Sequence, residues 1–130
     1  DRLSLYPGNF LHDPLPQGAD LVTLVRVAHD HPDEVVQQLL QKIHDALPAG
    51  GTLLLAEPMA NTYSQGVDGL TQTDAYFHFY LLAMGAGRLR TPEELMGMMR
   101  KAGFMGVEQV PNNMPIHAQI LLGRKHKCLP

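Results

Sequence analysis

Two polar clusters follow directly on apolar runs, and they hold most of the chemistry this sequence offers. Residues 21–27 read LVTLVRV and lead into Ala28-His29-Asp30-His31. Residues 52–56 read TLLLA and lead into Glu57-Pro58. An imidazole can take or give a proton near neutral pH. A carboxylate beside it fixes its orientation and stabilises its charged form. His29 is therefore a candidate general base, Glu57 its support, and Asp30 a neighbour that can steady the same loop. The same residues have a plainer use, with His29 capping the next helix and Glu57 solvated in a loop.

His29, His31 and Asp33 suggest a second chemistry, a metal-dependent hydrolase. Histidines two apart followed by an aspartate resemble the start of a binuclear metal motif. That motif needs a histidine at position 34, where Glu34 stands, and a metal site needs three or four convergent ligands. The preferred reading has no metal. His12, His44, His78, His117 and His126 are scattered. Met96, Met98 and Met99 share one segment and read as packing residues.

For His29 and Glu57 to meet, the two apolar runs must be neighbouring parallel strands, because ligands bind beyond the carboxyl ends of such strands. Residues 21–27 are short and rich in β-branched side chains, as in a strand buried on both faces. Pro32, Asp33 and Glu34 suit the first turn of a helix. Val36, Leu40, Ile43 and Leu47 then recur on one helical face, until Pro48 and Gly50-Gly51 stop it. Strand, helix and strand predict a right-handed crossover. Residues 58–70, with Asn61, Gly66 and Gly69, read as a loop. Residues 75–84 (AYFHFYLLAM) are apolar nearly all round, which predicts a helix that is buried or lines an apolar cavity. Thr91 and Glu94 frame a capping box, and Gly103 ends the helix it begins. Residues 106–110 and 116–123 are too close for a helical crossover and predict an antiparallel hairpin. The fold class is α/β.

The chain has 130 residues, 45 % of them hydrophobic and 18 % charged, which fits one soluble domain. A net charge of -3 gives no reason to expect nucleic acid. Arg124, Lys125 and Lys127 read as a solvated tail. One cysteine, Cys128, excludes an internal disulfide and fits a reducing compartment. No apolar run reaches the length of about 18 residues that a spanning helix needs, and no signal-peptide pattern opens the chain. A cytoplasmic location follows as an expectation.

Several segments together resemble a known family. Gly8-Asn9-Phe10, the run from Leu24 to His29-Asp30, Ala56-Glu57, Gly87-Arg88-Leu89-Arg90-Thr91-Pro92-Glu93-Glu94 and Ala102-Gly103-Phe104 occur in the order and spacing of the class I S-adenosylmethionine-dependent small-molecule O-methyltransferases of plants and bacteria. Ala56-Glu57-Pro58-Met59 and the Tyr-Phe-x-Phe-Tyr-Leu-Leu-Ala-Met-Gly run within residues 74–87 resemble the branch that acts on acyclic hydroxycarotenoids. The resemblance implies a Rossmann-like methyltransferase sheet ending in an antiparallel hairpin. It implies His29 as base, Glu57 as the acid that orients it, and Asp30 beside it. Gly8, Asn9 and Phe10 would pack around the adenine of S-adenosylmethionine, with Asn9 where the family commonly has Asp. Leu89 stands where many members have a second acid, so only Glu57 is expected to brace the base. Tyr80 and Met84 are candidate substrate-lining residues.

Residues 1–20 contain no strand followed by a Gly-rich turn. Residues 1–130 are thus expected to be the C-terminal part of the catalytic domain, lacking the Gly-rich cofactor motif and an N-terminal dimerisation domain, and inactive alone. The whole protein is expected to be a homodimer acting on a small hydroxyl substrate, with no integral membrane segment. A non-catalytic scaffold relative is the alternative, favoured by Leu89 and Asn9.

Overall fold

The first apolar run becomes strand β1, Leu21–Val25, in a computed structural model that describes residues 2–60, 72–113 and 118–127. The strand stops two residues earlier than its composition suggests. Arg26 has a φ of 55°, a left-handed conformation that costs a non-glycine residue about 1–3 kcal/mol. Its N–H still donates to the Ala56 carbonyl at 2.8 Å, so the sheet holds the strained residue. The bend feeds a single 3-10 turn, Ala28–Asp30.

Helix α1, Asp33–Ala46, starts after Pro32 with Asp33 and Glu34 in its first turn. Its buried stripe contains Val36, Leu39, Leu40 and Ile43, each worth about 1.5–3 kcal/mol when fully removed from water. Strand β2, Thr52–Glu57, pairs parallel to β1, with Leu21 opposite Thr52 and Val25 opposite Ala56. A parallel pair joined through α1 is the crossover the sequence predicts.

Helix α2, Gln72–Met84, precedes α3, Pro92–Lys101, which opens on the Thr91–Glu94 capping box. Strands β3, Met105–Val110, and β4, Gln119–Arg124, form the expected antiparallel pair. They are irregular between Met105 and Glu108, where Gly106 has a φ of 56°. β4 also pairs antiparallel with β2, setting Glu57 opposite Gln119. The sheet order is β1-β2-β4-β3. The core joins α1 to Leu53 and Leu55 of β2, Leu95 and Met99 of α3, and Leu121 of β4.

Two elements are less covered among the described residues than burial on all sides would make them. Among the described residues β1 lies at the edge of the sheet, and Leu21 and Val25 are each 53 % exposed while Leu24 packs into the core. Only the face toward α1 is covered by described residues. α2 buries Phe77 and Leu81 in a small cluster with Ala60 and Leu89, but Tyr76, Phe79, Leu82 and Met84 stand largely exposed. One stripe of it is inside, not the whole circumference. Among the described residues no helix is long and apolar enough to cross a membrane. The expected loop at 61–70, the start of the last strand at 116, His117 and Cys128 lie outside the described residues.

Candidate active site

The parallel register brings the ends of β1 and β2 level, which carries His29 and Glu57 to one edge of the sheet. Both are buried, at 6 % and 1 % exposure. Glu57 Oε1 accepts the N–H groups of Val27 at 2.8 Å and Ala28 at 2.7 Å. Oε2 lies 2.6 Å from His29 Nδ1 and 3.4 Å from the His29 N–H. A buried carboxylate is costly unless its lone pairs are filled, and here four donors fill them. The successive N–H groups of the 3-10 turn form a concave nest for that anion. An ionised carboxylate can only accept, so Nδ1 carries a proton and Nε2 is the nitrogen left for chemistry.

Asp30 brings its Oδ1 to 3.3 Å from Nε2; a lone pair on Nε2 and a carboxylate oxygen have no proton to share, so Asp30 must move off before Nε2 can act on a substrate. The imidazole is therefore flanked by two carboxylates, although Leu89 is apolar. Leu89 packs with Phe77 and Leu81, and Asp30, next to His29 in the chain, supplies the second acid. Asp30 is 45 % exposed, so its side chain can give way to an entering hydroxyl. The Phe77 ring meets the imidazole edge-on at 6.3 Å, and the Arg26 guanidinium lies 5.5 Å over the Phe77 ring.

Arg90 is 2 % exposed and grips the same turn. Its Nε donates to Asp33 Oδ1 at 2.8 Å, Nη1 to the Ala28 carbonyl at 3.0 Å, and Nη2 to the His31 carbonyl at 2.8 Å. Asp33 also receives Arg88 at 2.9 Å, and Arg88 pairs with Glu94 at 3.1 Å. The Arg88 hydrogen bond, helped by Arg90, holds the Asp33 carboxyl below its ordinary value against the opposing effect of burial. The Thr91 N–H does the same for Glu94, with help from Arg88. Both carboxylates in turn push the Arg88 guanidinium up, led by Asp33.

The remaining sequence candidates fall around this centre. His31 sets its ring edge against Phe10 at 5.4 Å. Asp33 is committed to arginines, and among the described residues no three His, Cys, Asp or Glu side chains gather as metal ligands would. Gly8, Asn9 and Phe10 line a groove of about 790 Å³ with Tyr6, Asp13 and Gln17. Asp13 accepts the Asn9 N–H at 2.6 Å, and Asn9 Oδ1 accepts the Leu11 N–H at 2.9 Å. Lys42 donates to the carbonyls of Phe10 and Asp13, each at 2.8 Å. A Cβ on Gly8 would come within 3.1 Å of Asp13, so glycine lets this loop close. Asn9 Oδ1 keeps a second lone pair, and its amide remains a donor. An amide beside a half-buried aromatic in a groove of this size suits a purine.

Tyr80 and Met84 are exposed, three and seven residues beyond Phe77, so all three share a stripe of α2. Neither belongs to the cluster that packs against the His29 imidazole; Phe77 does. Phe77, Arg90 and Gly87 are the residues of this site that sequence reasoning did not single out. For Gly87 and Arg90 the available signal was their place in the segment from Gly87 to Glu94 that carries the family resemblance.

The family model of the O-methyltransferase domain matches residues 1–105. The demethylspheroidene O-methyltransferase of Rhodobacter capsulatus is 47 % identical over 120 residues, covering 92 % of this chain and 30 % of that protein. The enzyme of the same name from Cereibacter sphaeroides is 41 % identical over 114 residues, covering 88 % of this chain and 29 % of that protein. The chain thus spans about 30 % of the length of these curated relatives. Human N-acetylserotonin methyltransferase, solved in complex with SAM, superposes with a TM-score of 0.80 at 28 % identity, over 94 % of this chain and 33 % of that one. An O-methyltransferase family 2 protein from Planctomyces limnophilus, solved with apigenin, gives 0.75 at 27 % identity, over 91 % and 33 %.

Proposed function

The chain belongs to the O-methyltransferase domain family, and on that premise we propose that it carries the catalytic base of an S-adenosylmethionine-dependent methyl transfer to a hydroxyl oxygen, with His29 as that base. The observation that carries the reading is the 2.6 Å contact between His29 Nδ1 and the buried Glu57 carboxylate at the joined end of two parallel strands.

When bound, S-adenosylmethionine supplies a sulfonium methyl, already a strong electrophile. Gly8, Asn9 and Phe10 are the residues assigned to hold its adenine. The work left to the protein is to align the acceptor oxygen and remove its proton. Alignment supplies much of the rate in such reactions. Nε2 of His29 is placed to accept the hydroxyl proton while the oxygen takes the methyl and the electron pair of the broken carbon–sulfur bond stays with the neutral thioether that leaves. Glu57 keeps the proton on Nδ1 and stabilises the imidazolium that results. Asp30, displaced from Nε2, holds the mouth of the site. An aliphatic alcohol is too weak an acid to ionise beforehand, so the placement of His29 governs the step.

The acceptor is assigned as an apolar small molecule, such as an acyclic hydroxycarotenoid, a reading supported by the demethylspheroidene in the names of the relatives. The stripe of Phe77, Tyr80 and Met84 leads away from the imidazole and offers a long apolar surface. The whole protein is read as a cytoplasmic homodimer. His29→Ala in the whole protein should lower turnover by about 100-fold or more and leave cofactor affinity nearly unchanged. Lost cofactor binding with turnover intact would overturn the assignment.

A further inference from the structure

We propose that residues 87–90 form a strap that positions the base, with Arg90 as its principal positioning residue; the proposal rests on His29 being that base. Burying a guanidinium is unfavourable unless every donor finds a partner. Arg90 is 2 % exposed, and its fork spans the turn that carries His29. It holds the Ala28 carbonyl on one side, the His31 carbonyl on the other, and Asp33 at the start of α1. None of these contacts is made to the helix that Arg90 precedes. Only a planar fork reaches three acceptors set this far apart, and a lysine ammonium cannot copy it.

Gly87 presses on the same turn from another side. Its φ is 82°, and a Cβ there would collide with the His29 carbonyl oxygen and lie 2.9 Å from Asp30 Cα. The chain between the two contacts is held as well. The Arg90 carbonyl accepts the Ala60 N–H at 3.0 Å, and Leu89 packs on Phe77, which itself touches the imidazole. The strap thus fixes the backbone of the base and the aromatic beside it in one frame. Glu57 orients the ring; the strap sets where the ring stands.

The test is a double-mutant cycle in the whole protein, using Arg90→Lys and Gly87→Ala singly and each combined with His29→Ala. Turnover and KM for S-adenosylmethionine are measured with an apolar hydroxyl acceptor, and folding is followed by thermal unfolding. Each single variant should lower kcat by about tenfold or more, with KM for the cofactor within about twofold. Added to His29→Ala, neither should lower turnover further, because a misplaced base and a missing base are one defect. Full additivity with His29→Ala overturns the strap and leaves the base assignment standing. Unchanged turnover in His29→Ala overturns the base assignment itself. Loss of the fold in both Arg90→Lys and Gly87→Ala overturns the strap too, since these residues would then hold the domain rather than the base.

Discussion

Exchange of Glu57 for glutamine alters one atom of the site, and its effect can be followed atom by atom. Oε1 receives two backbone N–H groups, at 2.8 and 2.7 Å. Oε2 faces Nδ1 at 2.6 Å and the His29 N–H at 3.4 Å. An amide nitrogen cannot accept a hydrogen bond, so the glutamine oxygen takes the position with two close donors and its NH₂ faces Nδ1. Nδ1 must then accept, and the ring proton moves to Nε2. The nitrogen meant to receive the substrate proton arrives already occupied. Restoring the working tautomer would set N–H against N–H at the 2.6 Å contact. A hydrogen bond to a charged group contributes about 1.5–3 kcal/mol, or about 10- to 150-fold in rate. Where the same exchange inverts the tautomer of a catalytic histidine, the loss reaches about 10⁴-fold. Glu57→Gln is therefore expected to lower kcat by about 10²- to 10⁴-fold, with KM for S-adenosylmethionine within about twofold. Steady-state kinetics on the whole protein give the rate, and ¹⁵N spectra of His29 give the tautomer. Turnover within about threefold of the parent, or a proton still on Nδ1, would refute the reasoning.

Two predictions concern the surroundings of the site. Asp33 and Glu94 are both held below their ordinary values when folded. Their stabilising effect is thus complete above the unfolded carboxyl values and is lost as pH falls through the lowered ones. Urea midpoints should stay level near neutrality and decline below about pH 4. Arg88→Gln should flatten that decline, and an unchanged acid slope would count against the cluster. Thr91→Ala removes the side-chain oxygen that accepts the Glu94 N–H at 3.2 Å and should cost about 1 kcal/mol, read as a lower unfolding midpoint. No shift would mean the cap is dispensable.

The legible parts of this protein were those encoded locally. The Thr91–Glu94 box is written in four consecutive residues, and α1 in the spacing of Val36, Leu40 and Ile43. His29 and Glu57 were legible because each ends an apolar run, and parallel pairing of two such runs brings their ends together. Asp30 at Nε2 was less legible, since adjacency in the chain says nothing of which ring nitrogen it meets. Arg90 and Gly87 were visible as members of the segment that carries the resemblance, but their contacts were hidden for a different reason. Their partners are backbone atoms of residues 28–31, and a carbonyl looks the same whatever side chain it carries. The exposed flanks of β1 and α2 were not legible because composition reports what a surface would prefer, and not which neighbour covers it.

The site is knit from three stretches far apart along the chain. Val27 and Ala28 meet Glu57 across 30 and 29 residues, and Arg90 reaches Ala28 across 62. Closing longer loops costs more chain entropy before any contact repays it. The turn bearing His29 therefore gains its final form only after the β1–β2 closure and the return of residues 87–90 are both complete. The site is thus no less local than the sheet, whose β2–β4 pairing sets Leu54 opposite Leu122, 68 residues on, so the base and the core are completed by chain closures of the same order.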